Sequence, residues 1–108
     1  MRTVETQAAQ GDVIFIRVAE IPAEAAREQT DVVAHSETGH HHVVRGPEGA
    51  YSFFRLDTMT AYLECEAPVE IVHLRQHDTH ETLRLVPGVY KVRRQREATP
   101  EGWAVVAD

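Results

Sequence analysis

Long apolar runs, a second cysteine and an excess of positive charge are all missing from this chain of 108 residues. No stretch approaches the roughly 20 apolar residues that a membrane-spanning helix needs. The opening segment MRTVETQAAQGD likewise has no apolar run suited to a signal peptide. The expectation is a cytoplasmic protein with no membrane partner. Cys65 has no intrachain disulfide partner, so the fold must rest on a core, and a chain of this length buries roughly two thirds of its unfolded surface in one domain. Its neighbours Glu64 and Glu66 disfavour a thiolate, which argues against a cysteine nucleophile. The formal charge of -6 disfavours nucleic acid, whose binding depends on clustered Lys and Arg, and suits a cation. The local exception is KVRRQR, Lys91 to Arg96, read as a solvated strand edge. No GxSxG, phosphate-binding glycine loop or CxxC pair is present.

What remains is a succession of short segments rich in Val, Ile, Phe and Tyr, bounded by Gly, Pro or Asp. Strands are predicted over Val13 to Val18, Asp31 to His35, His40 to Arg45, Tyr51 to Leu56, Ala61 to Cys65, Val69 to Leu74, Thr82 to Val86, Val89 to Arg94 and Trp103 to Val106. IPAEAAREQ is the sole helical candidate, with Pro22 suited to a helix start. Turns are expected at Gly46 to Gly49, at Pro87-Gly88 and, more weakly, at Asp57-Thr58. The aromatic group Tyr51, Phe53 and Phe54 reads as core. So many short strands leave unpaired edges unless the sheet folds over or closes. The reading is one all-β domain, an antiparallel β-barrel or sandwich, after an N-terminal tail of about ten residues.

The chemistry concentrates in HSETGHHHV, residues 35 to 43, which holds four of the chain's seven histidines. Its internal position marks it as native sequence rather than a purification tag. Strand alternation puts His40 and His42 on one face and turns His41 to the other. His35 and Glu37 pair by the same alternation, and Gly39 permits a bend that could aim both pairs at one point. HDTH adds His77 and His80 in a loop. Three or four imidazoles, with an optional carboxylate, make an ordinary first shell for zinc, the first expectation, and for iron, nickel or manganese as alternatives. A set of merely polar histidines is the competing reading, and His41 and His73 are assigned to it.

HSETGHHHVV resembles the HxExTGHxH stretch of a family of small, largely uncharacterised bacterial and phage-encoded proteins, here without the residue that pattern carries between its Glu and its Thr. HDTHETLRLVPGVYKVRRQRE resembles the HxxHxxLxLxPGxYxVxxQRE ending of the same family. The resemblance covers most of residues 35 to 96 and picks out His35, Glu37, Gly39, His40, His42, His77 and His80. A weaker resemblance is to the cupins, metal-binding β-barrels, on His40, His42, Glu48 and Gly49. It departs at Pro87-Gly88, which has no histidine after it.

Two functional classes stay open. A metal-dependent enzyme acting on a small-molecule ligand would keep a coordination position open and use Glu37, or a spare histidine, as general base. A structural or assembly protein would saturate the ion with His40, His42, His77 and His80. The oligomeric state is open too, a homo-oligomer included.

Overall fold

The computed structural model describes residues 1–35, 41–73, 81–94, 96–99 and 102–105. In chain order its strands are β1 (Arg2–Val4), β2 (Gln7–Gln10), β3 (Val13–Val18), β4 (Ala26–Glu28), β5 (Val32–His35), β6 (His41–Arg45), β7 (Tyr51–Arg55), β8 (Thr60–Cys65), β9 (Val69–His73), β10 (Leu83–Leu85), β11 (Gly88–Arg94), β12 (Arg96–Thr99) and β13 (Gly102–Val105). Among the described residues there is no helix, and so none long and apolar enough to cross a membrane.

The strands form two principal sheets. One runs β1-β10-β9-β6-β5 and the other β2-β3-β11-β8-β7-β4, with β12 and β13 as a separate hairpin. Both principal sheets are open, with edges at β1 and β5 in the first and at β2 and β4 in the second. The architecture is therefore a β-sandwich and not a closed barrel. Their shared core follows the two-residue period of a strand. Val13 and Phe15 of β3, Ala61, Leu63 and Cys65 of β8, and Tyr90 and Val92 of β11 meet Val69 and Ile71 of β9 and Leu83 and Leu85 of β10. Tyr90 keeps its hydroxyl satisfied inside by donating to the Val86 carbonyl at 2.7 Å.

Three expectations are corrected by this arrangement. The helical candidate IPAEAAREQ instead makes a turn, in which the Ala25 amide donates to the Pro22 carbonyl, followed by β4. A helix this short is marginal in water, whereas β4 gains a ladder with β7 and the cross-strand pair Glu28–Arg55 at 3.2 Å. The basic run is not an edge: β11 lies between β3 and β8 in the middle of its sheet. Residues 1–10, read as a tail, carry β1 and β2, and β1 pairs in parallel with β10. Its single buried apolar residue, Val4, was too weak a pattern to read as a strand.

One consequence of the topology concerns the histidine-rich stretches. The backbones of His35 and His41 pair where β5 meets β6, and His42 pairs with His73 at the end of β9. The connections from β5 to β6 and from β9 to β10 therefore leave their sheet at the same end. The β2–β3 turn and the end of β11 lie at that end of the facing sheet, since Gln10 and Arg94 both pair with Val13.

Candidate functional site

The site begins with a turn. Gly11 and Asp12 form a two-residue loop between Gln10 and Val13. Gly11 has a φ of 59° and Asp12 does not have a positive φ, the sign pattern of a type II′ hairpin, which takes Gly at its first position. Gln10 and Asp12 are nonetheless 2% and 1% exposed. A buried carboxylate of this kind needs partners. Arg94 provides one, presenting Nη2 at 3.1 Å and Nε at 3.3 Å to Asp12 Oδ2. The guanidinium thus reaches inward from a run expected to be solvated.

Gln10 spans the sandwich. Its Nε2 donates to the carbonyls of Ile71, in β9 of the opposite sheet, and of Glu81, just before β10, each at 2.9 Å. With both donors used, the remaining side-chain atom, Oε1, can only accept. It lies 2.8 Å from Nδ1 of His42, so His42 Nδ1 is the donor, an assignment made by the network. The other ring nitrogen, Nε2, faces Asp12 Oδ1 at 3.4 Å. His42 has no exposed surface.

Against His42 lies His73, its direct cross-strand partner, also buried, with ring centroids 4.3 Å apart and planes 9° from parallel. Two stacked imidazoles have their lone pairs in nearly parallel planes, so both cannot coordinate one ion in-plane. His73 supports the face of His42 instead.

Of the histidines the sequence singled out, His42 is in this cluster. His35 is the last residue of β5, where its backbone pairs with His41. His41, half-buried, faces away from His42, as alternation requires. Glu37, His40, His77 and His80 lie outside the described residues, as does the expected pocket between the His40 to His42 strand and the His77 to His80 loop. Among the described residues, no three His, Cys, Asp or Glu side chains are grouped to hold a metal ion. Gln10, Asp12 and Arg94 were missed. The Gly11-Asp12 dipeptide signals a hairpin, but nothing in it says that the aspartate points inward.

Two further features complete the picture. A small pocket of about 60 Å³ lies beside Arg94, lined by Val33, Ala34, Arg55 and Thr60 among others, far below the few hundred Å³ of an ordinary ligand site. Cys65 is buried in the core, where burial first and the Glu64 charge second push its thiol up to about 12. The thiol is inert packing material.

No curated protein and no solved structure matches the chain. A family model, described as a domain of unknown function (DUF8820), matches residues 9–95, from the Gln10 and Asp12 turn to the end of β11. The chain belongs to that family.

Proposed function

We propose that this protein binds a divalent transition metal, zinc in the first instance, at the end of the sandwich where the histidine-rich connections leave the sheet. The observation that carries the reading is the hydrogen bond from His42 Nδ1 to Gln10 Oε1 at 2.8 Å. A ligating histidine characteristically donates its other ring nitrogen to a carbonyl or carboxylate, which fixes its tautomer and orientation. Gln10 gives His42 that arrangement inside the protein. The remaining ligands come from His40, His77 and His80, with His35 in reserve. An ion there ties the β5–β6 connection to the β9–β10 connection. Catalysis on a small molecule is the extension of this reading in which Glu37 serves as general base.

The test is metal content after dialysis against Zn2+ at neutral pH. His42→Ala and His80→Ala should each lose most of the bound zinc, whereas His41→Ala should keep it. Wild-type protein that retains no divalent metal sinks the proposal. For the catalytic extension, Glu37→Ala should keep metal and lose turnover.

A second reading is favoured by Gln10's two bonds across the sandwich. In it, Gln10, Asp12, Arg94 and His42 form a buried polar network that fixes how the sheets sit on each other, without any ion. Under it, Zn2+ should leave the thermal midpoint unchanged, whereas a bound ion should raise it.

A further inference from the structure

We propose that the open edge of β2 is a self-association surface, on which a second copy of this chain adds its own β2 antiparallel across a two-fold axis. The pairing joins the two six-stranded sheets into one, and it does not depend on a metal.

A sheet edge invites a further strand, and proteins blunt it with charge, proline, a bulge or brevity. The edges at β1, β4 and β5 are treated in that way. β1 has three residues, one of them Arg2. β4 also has three, and its charged Arg27 and Glu28 are held by Ser52 and Arg55 of β7. β5 carries a register shift between Val32 and Ala34. β2 has none of these devices. Its residues Gln7–Gln10 are uncharged, lack proline and pair with β3 without a shift.

The backbone at this edge is ready to pair. The Arg17 amide donates to the Thr6 carbonyl, so Thr6 turns its backbone groups to β3, and by alternation Ala8 and Gln10 do the same. Gln7 and Ala9 turn theirs outward, where, among the described residues, they meet no partner. The side chains of Gln7 and Ala9 are exposed on the outer face, whereas Ala8 is 7% exposed on the core face.

These facts select a register. Residues directly opposite in an antiparallel pair share a face, so Ala8 must stand opposite a core-facing residue of the second copy. Placing the axis at Ala8 sets it against Ala8 of the second copy. Gln7 then stands opposite Ala9 of the second copy, and Ala9 opposite Gln7, each pair exchanging both of its N–H···O bonds inside β2. An axis at Ala9 would send the outer bonds to Gly11, whose φ of 59° is not a strand conformation. An axis at Gln7 would send them to Glu5, whose carbonyl already accepts from Arg17. The contact is isologous and closes at two copies. So short an edge buries far less than the roughly 1,200–2,000 Å² of a stable interface, which makes the dimer weak and dependent on concentration.

The experiment is sedimentation velocity of the full chain from micromolar to millimolar concentration, with amide hydrogen exchange measured by NMR at both ends of the range. The mass should rise from 12.2 kDa toward twice that value. The Gln7 and Ala9 amides should exchange several-fold more slowly at the high end, whereas those of Ala8 and Gln10, bonded to β3, should change little. Ala9→Pro removes an outward N–H and no bond to β3, a position at which an edge strand tolerates proline. It should keep the protein folded by circular dichroism and monomeric throughout. Ala9→Lys should also prevent association, by bringing like charges together at the axis. Adding Gln7→Glu should restore the dimer, because this register puts position 7 directly opposite position 9. A mass of 12.2 kDa over the whole range overturns the proposal. It falls equally if Ala9→Pro still associates, if the Gln7 and Ala9 amides keep their exchange rates in the dimer, or if the Gln7→Glu, Ala9→Lys variant stays monomeric.

Discussion

His42 and His73 face each other across β6 and β9 with their rings stacked, centroids 4.3 Å apart and planes 9° from parallel, both inside the sandwich. Flat contact of this kind is a packing interaction as much as a polar one. His73→Ala would open a cavity beside His42 and should destabilise the fold by roughly 2–4 kcal/mol, on the scale of large-to-small core substitutions. His73→Phe keeps a ring against His42 and should recover most of that loss. Urea unfolding measures both. Bound zinc should persist in His73→Phe, because the stacked geometry keeps His73 from sharing an ion with His42.

The Arg94–Asp12 contact should behave as a coupled pair. Arg94→Met leaves the carboxylate buried without its guanidinium and should cost roughly 3 kcal/mol, since breaking a buried pair strands a charge. Adding Asp12→Asn removes that charge, so the double variant should be more stable than the sum of the single losses implies. Denaturant midpoints for the four proteins complete the cycle. Strict additivity would mean that the two side chains are not coupled.

Burial raises the Cys65 thiol from its ordinary 9.0 to about 12. The native protein should therefore resist thiol-reactive disulfide reagents at neutral pH and react at once in urea. The raised value also sets a sign for stability. The folded state holds the proton more tightly than the unfolded chain, so this contribution is present below pH 9 and is lost as pH rises toward about 12. Cys65→Ala should flatten that part of the stability profile.

Zinc affinity should fall as pH drops through about 6.5, because protons and metal compete for the same imidazole nitrogens. Titrations at pH 5.5 and 7.5 check this. Equal affinity at the two values would exclude imidazole ligands.

The strands were legible because their apolar residues alternate and their ends carry Gly, Pro or Asp. β3 matches its expected bounds, Val13–Val18, and β7, β8 and β9 lie within a residue of theirs. β2 and β4 were not legible, since QAAQ and ARE have no alternation of strong apolar residues and become strands by pairing with β3 and β7. That is tertiary context overriding weak local preference. At the site, His42 is buried and its neighbour His41 half-buried. His73 was set aside because it belongs to neither histidine pair, but cross-strand register places it on His42. Asp12 and Arg94 escaped for a related reason: they are 82 residues apart in sequence, and only the packing of β11 beside β3 joins them.

The parallel pairing of β1 with β10 has a bearing on how the chain is made. A ribosome releases residues 2–4 some eighty residues before their partners at 83–85. The β2–β3 hairpin waits as well, since β11 is the strand that seats it in its sheet and brings Arg94 to Asp12. Until then the nascent hairpin shows Val13 and Phe15, both fully buried in the finished fold, to solvent or to a chaperone. Pairings between distant segments close slowly, with sandwiches of this kind folding in milliseconds to seconds. Assembly of the Asp12 end is thus a late event, and a chain cut short before β11 would leave Asp12 without its guanidinium.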